Sequence, residues 1–240
     1  MMRLDKLLAT LGAGTRSELR SVIRKGLVQV NGETVKDPGA KLSGDERVTV
    51  DGRDYHFTEF VYYMLNKPAG VITASRDPKQ RTVLGLFGED RRRDLFAVGR
   101  LDKDTTGLLI ITNDGELDHR LMSPKRHVAK RYAVRVKGEL TEDDVRAFAE
   151  GLYVDEELTA APAELTILSR GSISEAEVVI REGKYHQIKR MFAAVGKEVT
   201  ALRRIAVGGL LLDPDLPEGS YRELTEEERL RLEFSPEQKK

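Results

Sequence analysis

The chain has 240 residues, and its 40 lysines and arginines balance 40 aspartates and glutamates, a net charge of zero that by itself argues against a nucleic-acid partner. It has no cysteine and four scattered histidines, which exclude disulfides and thiolate chemistry and leave no ligand set for a structural zinc. The opening segment lacks the apolar core of a signal peptide and no uncharged apolar stretch approaches about 18 residues, so a cytoplasmic protein that spans no membrane is expected.

Residues 1–25 carry six basic and two acidic side chains. Leu4, Leu7, Leu8 and Leu11 recur at helical spacing, and Gly12-Ala13-Gly14 ends that helix. Thr15, with Glu18 three residues on, predicts a capping box and a second helix. There Leu19, Val22 and Ile23 form an apolar stripe, with Arg16, Arg20 and Arg24 on an adjoining face. Asn31-Gly32 supplies the positive φ angles of a two-residue hairpin turn, Pro38-Gly39 marks another turn, and Val48-Thr49-Val50 reads as a closing strand. Two helices, a small sheet and a row of arginines resemble the S4-type RNA-binding module over residues 1–53. The resemblance rests on Arg3-Leu-Asp-Lys-Leu7, Thr15-Arg16 and Gly26-Leu-Val-Gln-Val-Asn-Gly32, and it implies RNA contacts from Arg3, Lys6, Arg16, Arg20 and Arg24. Residues 54–60 read as a polar linker.

Residues 61–234 read as a second domain, strand-dominated from 61 to about 213. The runs VYYMLNK, LFAV, LLIIT, KRYAVRV, AELTIL, EAEVVI and TALRRIAV are bounded by turns. Helical patterns fall near 115–122, 141–150, 186–195 and 225–232. Without strict βαβ alternation the expected class is α+β, on a mainly antiparallel sheet with flanking helices. Residues 235–240 read as a flexible tail.

The chemistry concentrates in Gly99-Arg-Leu-Asp-Lys-Asp-Thr-Thr-Gly107, a polar loop between two apolar runs. Such a loop sets carboxylates rigidly at the edge of a core. Arg100 and Asp102 share a face if the segment is extended, and a guanidinium there suits a nucleophile or base. A calcium loop fits poorly, because position 12 is Asn113 and the preceding run is apolar. On loop shape alone, a turn-capping aspartate and a chemically active one fit equally.

GRLDKDTTGLLIITNDG resembles the signature loop of the pseudouridine synthases of the RsuA/RluB/RluE/RluF family. Asn66-Lys-Pro68, Lys130-Arg-Tyr132 and Gly183-Lys-Tyr-His-Gln-Ile-Lys-Arg-Met-Phe192 resemble its other motifs, the last in the form of the 16S rRNA branch. The resemblance covers about residues 3–232. It implies isomerisation of a uridine within RNA, with Asp102 as the catalytic carboxylate and Arg100 beside it. It further implies Tyr132 stacking on the target base, Lys189 paired with Asp102, and Leu202 beneath the base. Asp104 has no role in it and reads as loop structure or RNA exclusion. His186 reads as a structural histidine. Lys184, Lys189 and Arg190 lie off the apolar stripe of Ile188, Met191, Phe192 and Val195, so Lys184 and Arg190, with Lys130 and Arg131, are further RNA-binding candidates. No cofactor or metal is called for. Whether the carboxylate attacks C1′ or C6, or removes the 2′ hydrogen, stays open.

Position revises the inference from net charge. Residues 1–25, 76–137 and 181–204 carry +4, +6 and +5, offset by −9 over 138–180 and −4 over 205–240. These basic blocks hold every motif named above except Asn66-Lys-Pro68 and the 26–32 strand, so zero net charge no longer argues against a nucleic-acid partner. The resemblance implies 16S rRNA or a small-subunit assembly intermediate as that partner, and a monomer is expected because no apolar stripe is left without a core role. Arg91-Arg-Arg93 reads as a solvated loop within reach of RNA backbone. A non-catalytic RNA-binding protein on the same fold, or a 23S rRNA enzyme, are the alternatives.

Overall fold

The computed structural model describes residues 1–88, 91–123 and 126–233. The tail expected over 235–240 lies outside them. Helices Leu4–Thr10 and Arg16–Arg24 pack together, and Thr15 and Glu18 form the reciprocal capping box. Leu4, Leu7, Leu8, Leu19 and Ile23 bury against Val28, Leu42 and Val48. The sheet beneath them runs Glu33–Thr34, Val28–Val30, Val48–Val50, Arg53–Tyr55, with every neighbour antiparallel. Asn31 and Gly32 take φ of 51° and 86°, the signs the hairpin turn requires. The stretch read as a linker starts inside this sheet: Arg53–Tyr55 is its fourth strand, and Tyr55 and Phe57 pack on the core.

The rest of the chain is built on a nine-stranded sheet. Its main path is Glu164–Ser169, Ile173–Ile180, Lys130–Lys137, Glu198–Val207, Thr106–Thr112, Tyr62–Lys67, Tyr221–Glu223. Leu210–Leu211 adds to the Glu198–Val207 strand, and Phe96–Val98 to Thr106–Thr112. All pairs are antiparallel except one, where Arg203 and Arg204 lie parallel to Thr106 and Gly107. The class is α+β, as the run of strands indicated.

Around that parallel junction both sheet faces are covered. Leu109 and Ile111 join a cluster with Leu65, Tyr132, Val134, Phe148, Met191 and Phe192. Leu108 and Ile110 point the other way, into Met64, Val98, Leu117, Leu121 and Leu232. A strand buried on both faces needs no polar alternation, which explains the unbroken LLII run. Farther out the second face opens, and Lys130–Lys137 alternates buried and exposed. A hairpin of Leu152–Asp155 and Leu158–Ala160 also forms, around the acidic residues 155–157.

The Arg91–Arg93 segment joins the two parts of the chain. The Arg93 N–H donates to the Thr10 carbonyl at 2.8 Å. Arg92 donates to the Thr58 and Glu59 carbonyls and stands over the Phe57 ring, so it is an internal tether rather than a solvated arginine. No described helix is long and apolar enough to cross a membrane.

Candidate active site

Asp102 stands in the loop between strands Phe96–Val98 and Thr106–Thr112, and the backbone of that loop is held from below by two side chains and one backbone N–H. The Thr73 hydroxyl donates to the Leu101 carbonyl at 2.7 Å and accepts from the Leu101 N–H at 3.1 Å. The Gly70 N–H donates to the Lys103 carbonyl at 2.8 Å. Lys67 is fully buried, and its ammonium donates to the carbonyls of Thr105, Pro68 and Lys103 at 2.8, 3.1 and 3.4 Å. Burial pushes Lys67 down to about 8, against the opposing pull of Asp104 and Asp102. The Asn66-Lys-Pro68 motif therefore acts at the loop: its lysine is the peg around which residues 103–105 wrap.

The carboxylate of Asp102 meets two groups from the first turn of helix Gln187–Ala194. Lys189 Nζ lies 3.2 Å from Oδ2, and His186 Nε2 lies 3.5 Å from Oδ1. Lys189 also donates to Asp104 at 2.6 Å, so one ammonium bridges both carboxylates. Burial works to lower the Lys189 pKa, but the hydrogen bonds to Asp104 and Asp102 outweigh it and hold it above the ordinary lysine value. The same hydrogen bond holds Asp104 below the usual carboxylate range. His186 caps its helix in the left-handed region, φ 48°, with its ring stacked on Tyr185 at 3.8 Å. That backbone is uncommon for a residue with a Cβ and marks a position held by its surroundings.

Asp102 and Lys189 line a pocket of about 660 Å³, within the range of roughly 300–1,000 Å³ that suits a small organic ligand or nucleotide. Tyr132, buried, forms one wall with Leu202. Arg204 stands directly across the strand pair from Tyr132, and Leu202 across from Val134, so all share one face of the sheet. Arg100 is exposed at the rim; it lines the same pocket as Asp102 but makes no ion pair with it among the described residues. Chemically, this is a fixed carboxylate between an ammonium and an imidazole, facing an aromatic wall. It can act on a planar ring held against Tyr132 by nucleophilic attack or proton abstraction.

In the N-terminal part, three of the arginines singled out converge on one buried aspartate. Arg3, Arg16 and Arg20 reach Asp5 at 3.1, 3.3 and 3.0 Å, with Asp5 fully buried and each guanidinium about half exposed. The Arg3 hydrogen bond, opposed by burial and reinforced by Arg20 and Arg16, holds the Asp5 carboxyl far below the usual range. Arg24 is exposed at the end of its helix. Lys6 and Arg16 line a cleft with Arg76 and Arg93, which joins the first basic block to the second.

Other basic candidates are placed elsewhere. Arg131 follows the pleat onto the sheet face opposite Tyr132, where it pairs with Glu177 at 3.8 Å. Arg190 binds Asp155 and the Tyr185 carbonyl, tying its helix to the Leu152–Asp155 strand, and does not line the pocket. Lys184 is at the pocket rim but donates to the Thr159 carbonyl at 2.7 Å. Lys130 is in the pocket wall, buried rather than open to solvent. The sequence reading missed the placement of His186, although its i, i+3 spacing from Lys189 was a usable signal. Asp5, Asp104 and Lys67 gave no local signal for their partners.

Residues 61–194 match the RNA pseudouridylate synthase family, and residues 2–53 match the S4 domain. The chain is 45% identical over 230 residues to the uncharacterized RNA pseudouridine synthase YtzG of Bacillus subtilis, covering 95% of this chain and 96% of that protein. It is 41% identical over 232 residues to the ribosomal small subunit pseudouridine synthase A of Escherichia coli K12, covering 95% and 98%. A crystal structure of a pseudouridylate synthase superposes with a TM-score of 0.68 at 38% identity, over 97% of this chain and all of that one. With its motifs assembled around one pocket and both parts of the chain matched, this protein belongs to the RNA pseudouridylate synthase family, as a member with an N-terminal S4 domain.

Proposed function

We propose that this protein isomerises one specific uridine of 16S rRNA to pseudouridine in the cytoplasm, as a monomer, with Asp102 as the catalytic carboxylate. The observation that carries the reading is the Asp102–Lys189 pair facing Tyr132 across a nucleotide-sized pocket. A stacked uridine cannot reach a carboxylate, so the target is flipped out of the RNA, and the Tyr132 ring replaces the lost stacking. The N1–C1′ bond breaks, the detached uracil turns against Tyr132, and C5 bonds to C1′. C5 gives up its proton and N1 gains one, so the product is an isomer and no co-reactant is consumed. Asp102 acts at the sugar or at C6, Lys189 and His186 keep it in place, and Leu202 supports the base. The half-exposed arginines on Asp5 and the cleft of Lys6, Arg16, Arg76 and Arg93 bind RNA backbone.

The small-subunit assignment draws on the relatives named ribosomal small subunit pseudouridine synthase A. Mapping pseudouridines in rRNA from cells with and without this protein tests it. Loss of a single 16S pseudouridine is expected. Loss of a 23S position instead would overturn the subunit assignment, and an unchanged map would overturn the activity.

A further inference from the structure

Two cations lie in the pocket wall with no ion-pair partner among the described residues. Lys130 is 6% exposed and Arg204 is 3% exposed, and both line the pocket. Arg204 Nε donates to the Leu108 carbonyl at 2.8 Å, and Lys130 Nζ reaches the Val128 carbonyl at 3.3 Å. Neither makes an ion pair among the described residues, and the charge that acts on Lys130 is the like charge of Arg204. Neighbouring buried cations are costly twice over, through lost hydration and through repulsion. Asp102 and Asp104 do not relieve them, because both are engaged by Lys189.

Their placement suggests what does. Lys130 and Tyr132 are two residues apart on one strand and share its inward face, and Arg204 is the cross-strand partner of Tyr132. The two residues therefore neighbour Tyr132 on the sheet face that walls the pocket, while the carboxylate belongs to the loop ahead of strand Thr106–Thr112. A nucleotide has matching parts: a planar base, a sugar carbon to present to the carboxylate, and an anionic phosphate. We propose that Lys130 and Arg204 form an anion subsite that takes a phosphate of the flipped uridine nucleotide itself. This inference rests on the uridine-isomerising reading. Burial, with Arg204 adding to it, pushes Lys130 down to about 8, a strain that an arriving anion removes.

The test titrates uridine, uridine 5′-monophosphate and uridine 3′-monophosphate into the full chain at pH 7. One monophosphate is expected to bind about tenfold tighter than uridine, and which one tells the side of the sugar from which the phosphate comes. Lys130→Met should remove that increment, leave uridine binding unchanged, and raise KM for rRNA with little change in kcat; Lys130→Arg should restore most of the increment. The melting temperature of ligand-free Lys130→Met should equal or exceed that of the wild type, whereas a lysine with only a structural role would lower it. Equal binding of all three ligands overturns the subsite. So does an increment that survives Lys130→Met, or an equal loss of uridine binding, which would put the cations on the base oxygens. Should Lys130→Met fail to fold, Lys130→Gln in the same titration decides. Wild-type conversion of rRNA with no phosphate increment removes the subsite alone; no conversion at all removes the broader reading.

Discussion

The Lys189 ammonium meets the Asp102 carboxylate at 3.2 Å, yet its shorter hydrogen bond, 2.6 Å, goes to Asp104. Asp104 is well exposed, so its ion pair is screened and contributes little free energy. Lys189→Met is therefore expected to lower kcat about a hundredfold, the usual cost of removing a preorganised charge from a reacting group. Asp104→Asn should stay within about threefold of wild type, since Lys189 keeps its contact with Asp102. Single-turnover conversion of a 16S transcript checks both.

The Asp5 cluster predicts a pH dependence. A carboxyl whose folded-state pKa is depressed contributes stability above its unfolded pKa, near 4, and that contribution is lost as the pH falls through the folded value. Asp5→Asn should lower the melting temperature at pH 7 by about 5 °C or more, because three guanidiniums then face one another without their buried counter-charge. The difference from wild type should shrink toward acid pH. Thermal melts of both proteins from pH 7 to pH 2 measure it.

Half-exposed guanidiniums clamped by a buried acid are set to meet phosphates without losing much side-chain freedom. Arg16→Ala and Arg20→Ala should each weaken RNA binding and reduce the slope of log affinity against log salt by about one. Anisotropy titrations at several salt concentrations give the slope. An unchanged slope would remove this helix from the RNA interface.

Gly107 is fixed by the parallel junction. Its φ is 99°, and a Cβ there would lie 2.2 Å from the Arg204 carbonyl oxygen. Gly107→Ala is expected to cost about 3 kcal/mol or more, because backbone would have to move. Gly32→Ala, also at positive φ but facing open space, should cost only about 1 kcal/mol. Chemical denaturation of the two variants separates steric from conformational cost.

What could be read from the sequence was local or periodic. The capping box at Thr15 and Glu18, the Asn31-Gly32 turn and the apolar runs of the large sheet each depend on residues within a few positions. Asp102, Tyr132, Lys189 and Leu202 were singled out because their motifs resemble a family, and the fold brings all four to one pocket. The ion pair of Lys189 with Asp104, the three arginines on Asp5 and the carbonyls on Lys67 join distant parts of the chain, and no periodicity encodes them. The ion pairs of Arg131 with Glu177 and of Arg190 with Asp155 were hidden for the same reason, since a basic side chain gives no sign of the acidic partner the fold will bring to it. The Leu152–Ala160 hairpin was hidden by its acidic turn, which reads as a solvated loop.

The most direct test of the account is Asp102→Asn, which keeps the shape of the side chain but removes its charge and replaces one of its two acceptor oxygens with a donor. With 16S rRNA as substrate and pseudouridine read by chemical mapping, the variant is expected to bind RNA as the wild type does and form no pseudouridine above background. Conversion at or near the wild-type rate would contradict the assignment of Asp102, and with it the reading of the pocket as the place where the uridine is rebuilt.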